Sequence, residues 1–386
     1  MITSNNRKSL AQRLVYKQAS IVRKDIGDWQ NALRQATASS NPRQVRLQEL
    51  YTNIMRDAHL SSQILLRKSK VLCSDWILSN AKGKPDDKAT DTLRSNPIAQ
   101  TLMDMVLDSI FYGYTLAELS YTRSRLTVTA IDRRHIEPGS GTVYIEQYDS
   151  DGIAYRQLPE YGRTLLEFRG EGLGLLNQAC PHVLYRRFAQ ACWSELCEIY
   201  GMPPRYIKTG EQDPELRQRY LNDLAKAGSI PTFLLNSDDE IGFIPTNASN
   251  GEVYRELIHL CTNELSLLIN GAVLGQDTVN GSNAKEKTSS ELSDNLSYAD
   301  RVLVEQAFSN TVLPALARLG VVPEGLKLTF TAYEDTNALF EQTMQAAQYF
   351  DIDPEWVRQK FGIEVTGLRS FGSAALKQNS PYDPFL

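Results

Sequence analysis

No long run of apolar residues occurs in this chain of 386 residues. A membrane span needs about 18 or more consecutive apolar residues, and no stretch approaches that length. The first 25 residues carry six basic residues, and no apolar stretch follows them as it would in a secretion signal. We therefore expect neither membrane insertion nor secretion.

Cysteine and histidine are scarce. The five cysteines are odd in number and scattered, so we expect reduced thiols that serve as small core residues in a reducing compartment. Only four histidines are available as general bases. The chain also lacks the spacings of a phosphate loop, an H-E-x-x-H zinc site, a G-x-S-x-G nucleophile and a C-x-x-C pair. These absences favour a non-catalytic protein without cofactor or metal. The cysteines are Cys73, Cys180, Cys192, Cys197 and Cys261.

One glycine-rich segment, Gly170-Glu171-Gly172-Leu173-Gly174, stands just before a predicted helix. A loop that cradles phosphate occupies the same place in a dinucleotide-binding fold. Here Leu175 replaces the final glycine of that pattern, and no βαβ unit surrounds it. We therefore favour a hinge into the helix over nucleotide binding.

Three groups of possible metal ligands have simpler explanations. The set Cys180, His182, Cys192 and Cys197 does not share one helix face, which favours core packing over a zinc site. The acidic clusters at 238–240 and 351–353 are compatible with a divalent ion, but a turn and a helix N-cap explain them more simply. We expect no metal site.

The charge is unevenly distributed along the chain. The net charge is -5, whereas residues 1–72 contain thirteen basic and four acidic residues. A basic N-terminal part and an acidic remainder indicate either a basic patch that meets an acidic partner or an ordinary solvated helical surface. The acidic remainder argues against sequence-specific DNA binding, which needs clustered cations, but not against DNA passing nearby.

The N-terminal half predicts a polar arm followed by a mixed unit. The arm spans residues 1–44 and contains one possible helix at 28–38. Residues 45–168 alternate between helical and strand-like patterns, which is typical of an α+β unit. The predicted helices are 45–70 and 98–111, and the predicted strands are 71–78, 115–121, 126–131, 143–148 and 165–168.

A long helical hairpin is predicted next. Residues 174–200 form one helix of about 40 Å at about 1.5 Å per residue, with Pro181 near its start. Its proposed apolar stripe includes Phe188, with Arg187 on the polar side. A second helix at 250–274 should run antiparallel to it. Its proposed stripe is Val253, Leu257, Leu260, Cys261, Leu265, Leu268 and Ala272.

Shorter elements lie between and after these helices. Between the two long helices, the insert at 203–248 predicts a strand, helix and strand that form a unit too small to be stable alone. After the hairpin come a polar loop at 275–288 and a third helix from Ser289 to Leu319, in which Pro314 bends or ends the helix. The remaining predictions are insert strands at 205–209, 232–235 and 240–244, an insert helix at 214–227, a strand at 326–333, and helices at 337–350 and 354–361.

The polar loop has a composition suited to sliding along DNA. Gly, Asn, Ser and Thr dominate it, and Lys285 and Lys287 are its only cations. Such a loop contacts phosphates without reading bases. A plain solvated connector is the alternative that composition leaves open.

Four segments of the chain have a wording that is similar to a known family. The segments are Phe111–Glu118, Ile131–Ile136, Tyr185–Ala189 with Glu198–Pro203, and Gly271–Gln276. They resemble the Mu-like portal family of contractile-tailed phages, and the resemblance extends over about residues 45–345, with the last two segments the more specific. It implies a mainly helical α+β fold of the portal type, with an α/β wing, a long helical stem, a small αβ clip and a short or absent crown.

This resemblance implies an assignment of parts along the chain. Only about 40 residues follow residue 345, so a full crown is not expected, and no counterpart of the arm is identified in the family. The parts are the arm 1–44, wing 45–172, first stem helix 173–202, clip 203–248, second stem helix 249–274, tunnel loop 275–290, return helix and wing strand 291–345, and C-terminal helices with tail 346–386.

The resemblance also implies function and partners. It implies a ring, usually of twelve subunits, at a capsid vertex in the virion, assembled in the host cytoplasm, through which double-stranded DNA passes. Expected partners are terminase, the major capsid protein and neck or head-completion proteins. The candidate DNA-channel residues are Gln276, Asn280, Ser282, Asn283, Lys285 and Lys287. The candidate clip docking residues are Glu211, Arg217, Arg219, Asp238 and Asp239.

Two other classes of function remain open from the residues. One is a nucleic-acid-processing enzyme with a dispersed site, which would show nuclease or ATPase activity that depends on Asp238, Asp239 or Asp351. The other is a monomeric DNA or protein adaptor. A mass measurement separates an adaptor from a ring.

Overall fold

A computed structural model gives the fold of the chain, which is mainly helical with small sheets. The α+β class predicted from the sequence is therefore confirmed. The chain divides into two units, 1–330 and 331–386, and each is described by itself. The structure describes residues 26–122, 125–201, 205–210, 213–226, 232–236, 251–273, 283–331, 336–350 and 352–363.

Three helices open the first unit. They are α1 (Ile26–Ala36), α2 (Val45–Ile54) and α3 (Ala58–Leu72). The prediction of one helix over 45–70 is wrong, because Asp57 interrupts it as the N-cap of α3 and accepts from the Leu60 amide at 3.0 Å. The predicted strand at 71–78 begins too early, since Val71 is buried as part of α3.

A strand and two helices follow. Strand β1 is Trp76–Ser79, α4 is Asp87–Arg94 and α5 is Pro97–Tyr112. Helix α4 was not predicted, although Asp86 before it is an N-cap signal that accepts from the Ala89 amide at 3.0 Å. Helix α5 confirms the predicted helix at 98–111, and Gly113 ends it in the left-handed conformation.

Two antiparallel three-stranded sheets form the rest of the N-terminal half. In the first sheet, the middle strand Tyr114–Thr122 pairs with Arg125–Ala130 and Leu165–Arg169. In the second sheet, the middle strand Thr142–Tyr144 pairs with Ile136–Glu137 and Gly152–Ala154. The register sets Ala117 opposite both Ala130 and Leu166. The strands are β2 (Tyr114–Thr122), β3 (Arg125–Ala130), β4 (Ile136–Glu137), β5 (Thr142–Tyr144), β6 (Gly152–Ala154) and β7 (Leu165–Arg169).

The long hairpin predicted from the sequence is confirmed. Helix α6 is Leu175–Gly201, with Pro181 inside it, and α8 is Glu252–Asn270. Helix α8 ends four residues earlier than predicted, because Gly271 adopts the left-handed conformation with φ of 69°. Between these helices lie β8 (Arg205–Thr209), α7 (Pro214–Lys226) and β9 (Thr232–Asn236), with β8 parallel to β9. The predicted strand at 240–244 lies outside the described residues.

The third long helix begins earlier than predicted. Helix α9 is Asn283–Ala307, so it starts six residues before Ser289. A π-helical turn, Phe308–Val312, follows, and α10 (Leu313–Arg318) completes the segment. Pro314 has no N–H to continue the α-helical bonds, which accounts for the widened turn just before it. The proline therefore does not end the helix.

Strand β10 returns the chain to β1. It spans Lys327–Phe330, within the predicted strand at 326–333, and pairs antiparallel with β1. Side chains satisfy one amide on each outer edge of this two-stranded sheet. The amide of Phe330 donates to Glu305 at 2.7 Å, and the amide of Leu78 donates to Thr90 at 2.9 Å.

Two large apolar cores hold the first unit together. One joins α5, β1, β10 and the π-helical turn around Leu102 and Phe308. The other joins α1, α2, α6 and α8 around Leu50, Leu176 and Leu265. The hairpin is thus anchored at one end in the same core as the N-terminal helices.

The C-terminal unit contains two described helices. They are α11 (Thr336–Ala346) and α12 (Pro354–Phe361), and α12 has the predicted bounds. Helix α11 ends four residues before the predicted Phe350. The ring of Phe361 packs against Phe340 at 5.2 Å and Trp356 at 5.7 Å between centroids. Asp353 caps α12, as expected for the 351–353 cluster.

Candidate functional site

The two hairpin helices run antiparallel. At the start of α8, Gly251 lies so close to Trp193 that a Cβ atom would approach the indole nitrogen to 2.6 Å. At the other end, Leu265 and Ile269 of α8 share a buried cluster with Cys180 of α6. The hairpin therefore has a base within the N-terminal core and a tip beside the 205–236 insert.

Two arginines fasten α6 to the junction of α2 and α3. Arg186 donates to the Asp57 carboxylate at 3.0 Å. Arg187 donates to the side-chain and main-chain oxygens of Asn53 at 2.6 and 2.9 Å. Burial lowers the pKa of Arg187, as do the charges of Arg56 and Arg186, with Asp57 opposing them. Both arginines thus point toward the wing.

The aromatic residues that flank these arginines point to solvent. Tyr185 is 46% exposed and Phe188 is 60% exposed. The first half of the predicted apolar stripe is confirmed, since Leu176, Cys180, Val183 and Leu184 are buried. The placement of Phe188 in that stripe and of Arg187 on the polar side is wrong. The reason is that Asn53 of α2 offers hydrogen-bond acceptors to Arg187, so this arginine turns toward α2 and Phe188 faces outward.

Helix α8 also carries an exposed apolar stripe. Val253, Leu260 and Leu267 repeat every seven residues and are 68%, 56% and 46% exposed. This spacing sets them on one helix face, where Glu256 and Glu264 are their exposed neighbours. Val253 and Leu260 were predicted to be buried, and this is wrong because the core is reached by a different face, through Cys261, Leu265 and Ile269.

Helix α3 holds the base of α8 through polar contacts. The Nε2 atom of His59 lies 2.9 Å from the Ser266 hydroxyl and 3.1 Å from the Thr262 carbonyl. Burial lowers the pKa of His59, and the charge of Arg186 adds to this effect. One turn further, the Asn270 amide donates to Gln63 Oε1 at 2.7 Å. These contacts fix α8 beside α3.

A buried guanidinium joins three helices at the hairpin base. Arg67 of α3 donates to both carboxylate oxygens of Asp300 in α9, at 2.7 and 2.9 Å. Its third bond goes to the Ile269 carbonyl in the last turn of α8, at 2.7 Å. Both charged residues are buried. A planar guanidinium is suited to such a junction because its donors point in fixed directions.

The face of α9 that meets α3 is polar. Ser293, Ser297 and Asp300 are buried, and Lys70 of α3 donates to Ser293 at 2.7 Å. Large apolar residues of the same helix face outward instead, with Leu292 49% and Tyr298 66% exposed. The described contacts of this part of α9 with α3 are therefore hydrogen bonds and ion pairs.

The structure locates half of the candidate DNA-channel residues. Asn283, Lys285 and Lys287 belong to α9, so their assignment to a loop is wrong. Asparagine at the start and the following Ala-Lys-Glu-Lys run are compatible with a helix start, which is why the polar composition misled the prediction. The others, Gln276, Asn280 and Ser282, lie outside the described residues.

Two of the candidate docking residues are described. Arg217 and Arg219 lie on α7, with Arg217 half-buried and Arg219 exposed. Glu211, Asp238 and Asp239 lie outside the described residues.

The glycine-rich segment before α6 packs against the end of α5. A Cβ atom at Gly170 would lie 2.1 Å from the Ser109 carbonyl oxygen, and one at Gly174 would lie 2.3 Å from that of Phe111. Gly174 also has a φ of 78°. Close backbone approach and this conformation account for the glycines without a phosphate. They join α6 to the wing as a hinge segment.

The cysteines lie in different environments. Cys180 and Cys261 are buried, and burial raises the pKa of both thiols. Cys73 and Cys197 are exposed, so their assignment to the core is wrong.

Within the described ranges, no three His, Cys, Asp or Glu side chains gather as a metal site would require. No helix in those ranges has the length and apolarity of a membrane span.

The segment Ile131–Ile136 is a structural corner of the wing. Arg133 lies over the Tyr112 ring at 4.0 Å and donates to Asp108 at 2.8 Å. Asp108 also accepts from Lys68 of α3 at 2.8 Å. These contacts tie the wing sheets to α3, the helix that carries Arg67.

Comparison with known proteins gives one strong match. A family model described as the portal protein of Mu bacteriophage matches residues 48–363, which is most of the chain. Among solved structures, one similar chain is a portal protein of the HK97 phage family from Corynebacterium diphtheriae. It is 14% identical, with a TM-score of 0.40, and the match covers 75% of this chain and 96% of that one. No curated protein matches the chain.

Proposed function

This chain belongs to the family of Mu bacteriophage portal proteins, and on that premise we propose that it is the subunit of a ring at one capsid vertex. Double-stranded DNA passes through the centre of this ring during packaging and ejection. The hairpin of α6 and α8 is the stem, and the helices and sheets before it form the wing. Membership in the family supports this role, and the surface of the hairpin supplies the physical reason for assembly.

The observation that carries the proposal is a pair of exposed apolar stripes on different helices of the hairpin. One consists of Tyr185 and Phe188 on α6, and the other of Val253, Leu260 and Leu267 on α8. When two different surfaces of one subunit fit each other, contacts between copies run head to tail and close into a ring if the rotation permits. We propose that the α8 stripe of each copy covers the α6 stripe of the next.

Charge supports the same pairing. Glu252 and Glu256 flank the α8 stripe and are exposed, although both also contact Arg255. Beside the α6 stripe, Arg56 is exposed and its charge lowers the pKa of Arg187. The α6 side therefore has an excess of positive charge and the α8 side an excess of negative charge. Complementary charges steer such surfaces together and disfavour pairing of like with like.

The DNA path is assigned by position in the hairpin. We propose that the start of α9, with Asn283, Lys285 and Lys287, and the preceding residues Gln276, Asn280 and Ser282 face the channel. Two lysines per subunit give weak contacts with phosphates, and the acidic remainder of the chain prevents tight binding. DNA then moves without being held.

The partners follow from the same arrangement. The insert at 203–248, at the tip of the hairpin, is the proposed docking site for terminase during packaging and for neck or head-completion proteins afterwards. Arg217 and Arg219 on α7 are its described candidates. The wing meets the major capsid protein, and assembly takes place in the host cytoplasm before the ring enters the virion. The ring has twelve subunits and no catalytic activity in this proposal.

Measuring the mass of the purified protein tests the proposal, since a ring and a single chain differ many-fold. Variants of Phe188 and Leu260 test which surfaces carry the assembly. Nuclease or ATPase activity that persists through purification would favour an enzyme instead.

A further inference from the structure

One buried side chain of α3, that of Arg67, contacts both α8 and α9. Helix α8 precedes the proposed DNA-facing residues, and the start of α9 contains three of them. Ile269 lies in the last turn of α8, and Asp300 lies in α9, seventeen residues after the start of that helix at Asn283. Arg67 of α3 bonds to both, with distances of 2.7 Å to the Ile269 carbonyl and 2.7 and 2.9 Å to the Asp300 carboxylate. The relative position of α8 and α9 therefore depends on a third helix.

The ion pair between Arg67 and Asp300 is buried, so its loss should disturb the structure around it. Arg67 is 8% exposed and Asp300 is 4% exposed. Removing one partner leaves an uncompensated charge in a site that excludes water, whereas exposed ion pairs contribute little. Phe111, in the second apolar core, lies 5.8 Å from the Arg67 guanidinium and helps to enclose it.

The first half of α9 has few other restraints. Its C-terminal part is anchored by Val304, which belongs to the large apolar core with Phe308. Toward its start, the buried face consists of Ser293 and Ser297, which offer little apolar surface to interlock with α3. The described contacts there are those of Lys70, half-buried, which bonds to Ser293 at 2.7 Å and to Asp294 at 2.9 Å, and of Leu296, which lies against Gly271. Among the described side chains, the pair of Arg67 and Asp300 is thus the buried ion pair of α9 that lies nearest the lysines in sequence.

We propose that Arg67 is a positioning residue for DNA passage. It sets where the start of α9, with Lys285 and Lys287, lies relative to α8. The ligand that these lysines meet is the phosphate backbone of double-stranded DNA. This inference rests on the proposed function for its DNA part, but the geometric part stands on the contacts of Arg67 alone. Arg67 itself does not touch DNA in this account.

The matched variants are Arg67→Lys, Asp300→Asn and, as a control, Arg94→Lys. Lysine keeps the charge of Arg67 but cannot make the forked pair with Asp300 and the bond to Ile269 together. Asp300→Asn keeps the shape of the acid and provides a second test if the lysine variant fails to fold. Arg94 is a half-exposed arginine of the same unit, 3.8 Å from Asp75.

The first measurement is the rate of trypsin cleavage after Lys285 and Lys287, followed by mass spectrometry on the full assembled chain. Local opening of a helix raises cleavage within it without affecting distant sites. We expect about a tenfold faster cleavage at these two lysines in both variants of the junction, with the control like the native protein. Unchanged cleavage at both lysines would overturn the inference. So would an equal increase at all sites, because Arg67 would then only stabilise the fold.

The second measurement is the amount of DNA retained in particles assembled with each variant. We expect reduced retention with Arg67→Lys while the mass of the ring is unchanged. Normal retention despite faster cleavage would refute the role in DNA passage and leave only a structural contact. If the native protein forms no ring, the proposed function fails, whereas the cleavage rates still decide whether Arg67 positions α9.

Discussion

Arg186 of α6 donates to the carboxylate of Asp57 at 3.0 Å, although the two residues are 129 positions apart in the chain. The same carboxylate accepts from the Leu60 amide as the N-cap of α3. Asp57 therefore joins α6 to the junction of α2 and α3, and it starts the helix that carries Arg67. Tyr185 and Phe188, which flank the arginine pair in α6, are exposed.

Asp57→Ala should lower the free energy of unfolding by about 2–4 kcal/mol, because it removes a helix cap and leaves Arg186 partly buried without its acid. Urea unfolding followed by circular dichroism measures the change. Asp75→Ala is the control, since the Asp75 side chain is 85% exposed and lies 3.8 Å from Arg94. We expect a loss below about 0.5 kcal/mol for the control. Equal losses in the two variants would contradict the role of Asp57.

Phe188→Glu and Leu260→Glu should each prevent ring assembly while leaving the single chain folded. Both residues are mainly exposed in the chain, so a charge there costs little in folding but is buried when two copies meet. Mass photometry and circular dichroism follow assembly and folding. Tyr349→Glu is a matched change at an exposed aromatic residue of the C-terminal unit, 82% exposed. Rings formed by either stem variant would show that these stripes are not the interface.

Lys285→Ala combined with Lys287→Ala should leave assembly intact and alter DNA packaging or retention. Each phosphate contact that is lost should reduce the dependence of DNA binding on salt by about 0.9 in logarithmic slope. Particle DNA content and binding at several salt concentrations are the measurements. Replacement of Lys82 and Lys84, two exposed lysines near α4, serves as the control. If the ring itself fails to form, these lysines have been assigned the wrong role.

Stability should decrease as the pH falls below the ordinary range of histidine, in part because of His59. Burial and the charge of Arg186 lower the pKa of His59 in the folded chain. The unfolded chain then takes up a proton at a higher pH than the folded chain, so stability is lost as the pH falls through about 6.5. Urea midpoints at several pH values, compared with His59→Gln, test this. A variant with the same pH dependence as the native protein would exclude His59 as the cause.

Glycine and proline marked the ends of two helices correctly, although the end of α8 at Gly271 was missed. The hinge glycine Gly174 and the Pro203-Pro204 pair bracket α6, whose observed bounds differ by one residue from those predicted. Helix α12 starts at Pro354 after its cap and has the predicted bounds. Local chemistry decides such boundaries, and a single sequence contains it.

Contacts between segments that are distant in the chain could not be predicted from the sequence. Arg67 and Asp300 are 233 positions apart, and no local pattern connects them. Two positions of α6 were also predicted wrongly, because a helical pattern identifies an apolar stripe but does not show which of its members the rest of the chain covers. Phe188 is apolar and exposed, whereas Arg187 is charged and half-buried against Asn53. If the proposed ring forms, an apolar pattern of this kind includes residues that are covered only by a neighbouring copy.

The mass of the purified native chain in solution is the most direct test of the account. We expect large rings with a central hole in electron micrographs and a mass near twelve times the 43.4 kDa of one chain. A ring of another number would change only the stoichiometry. A stable monomer of 43.4 kDa at micromolar concentration would contradict the account and favour an adaptor.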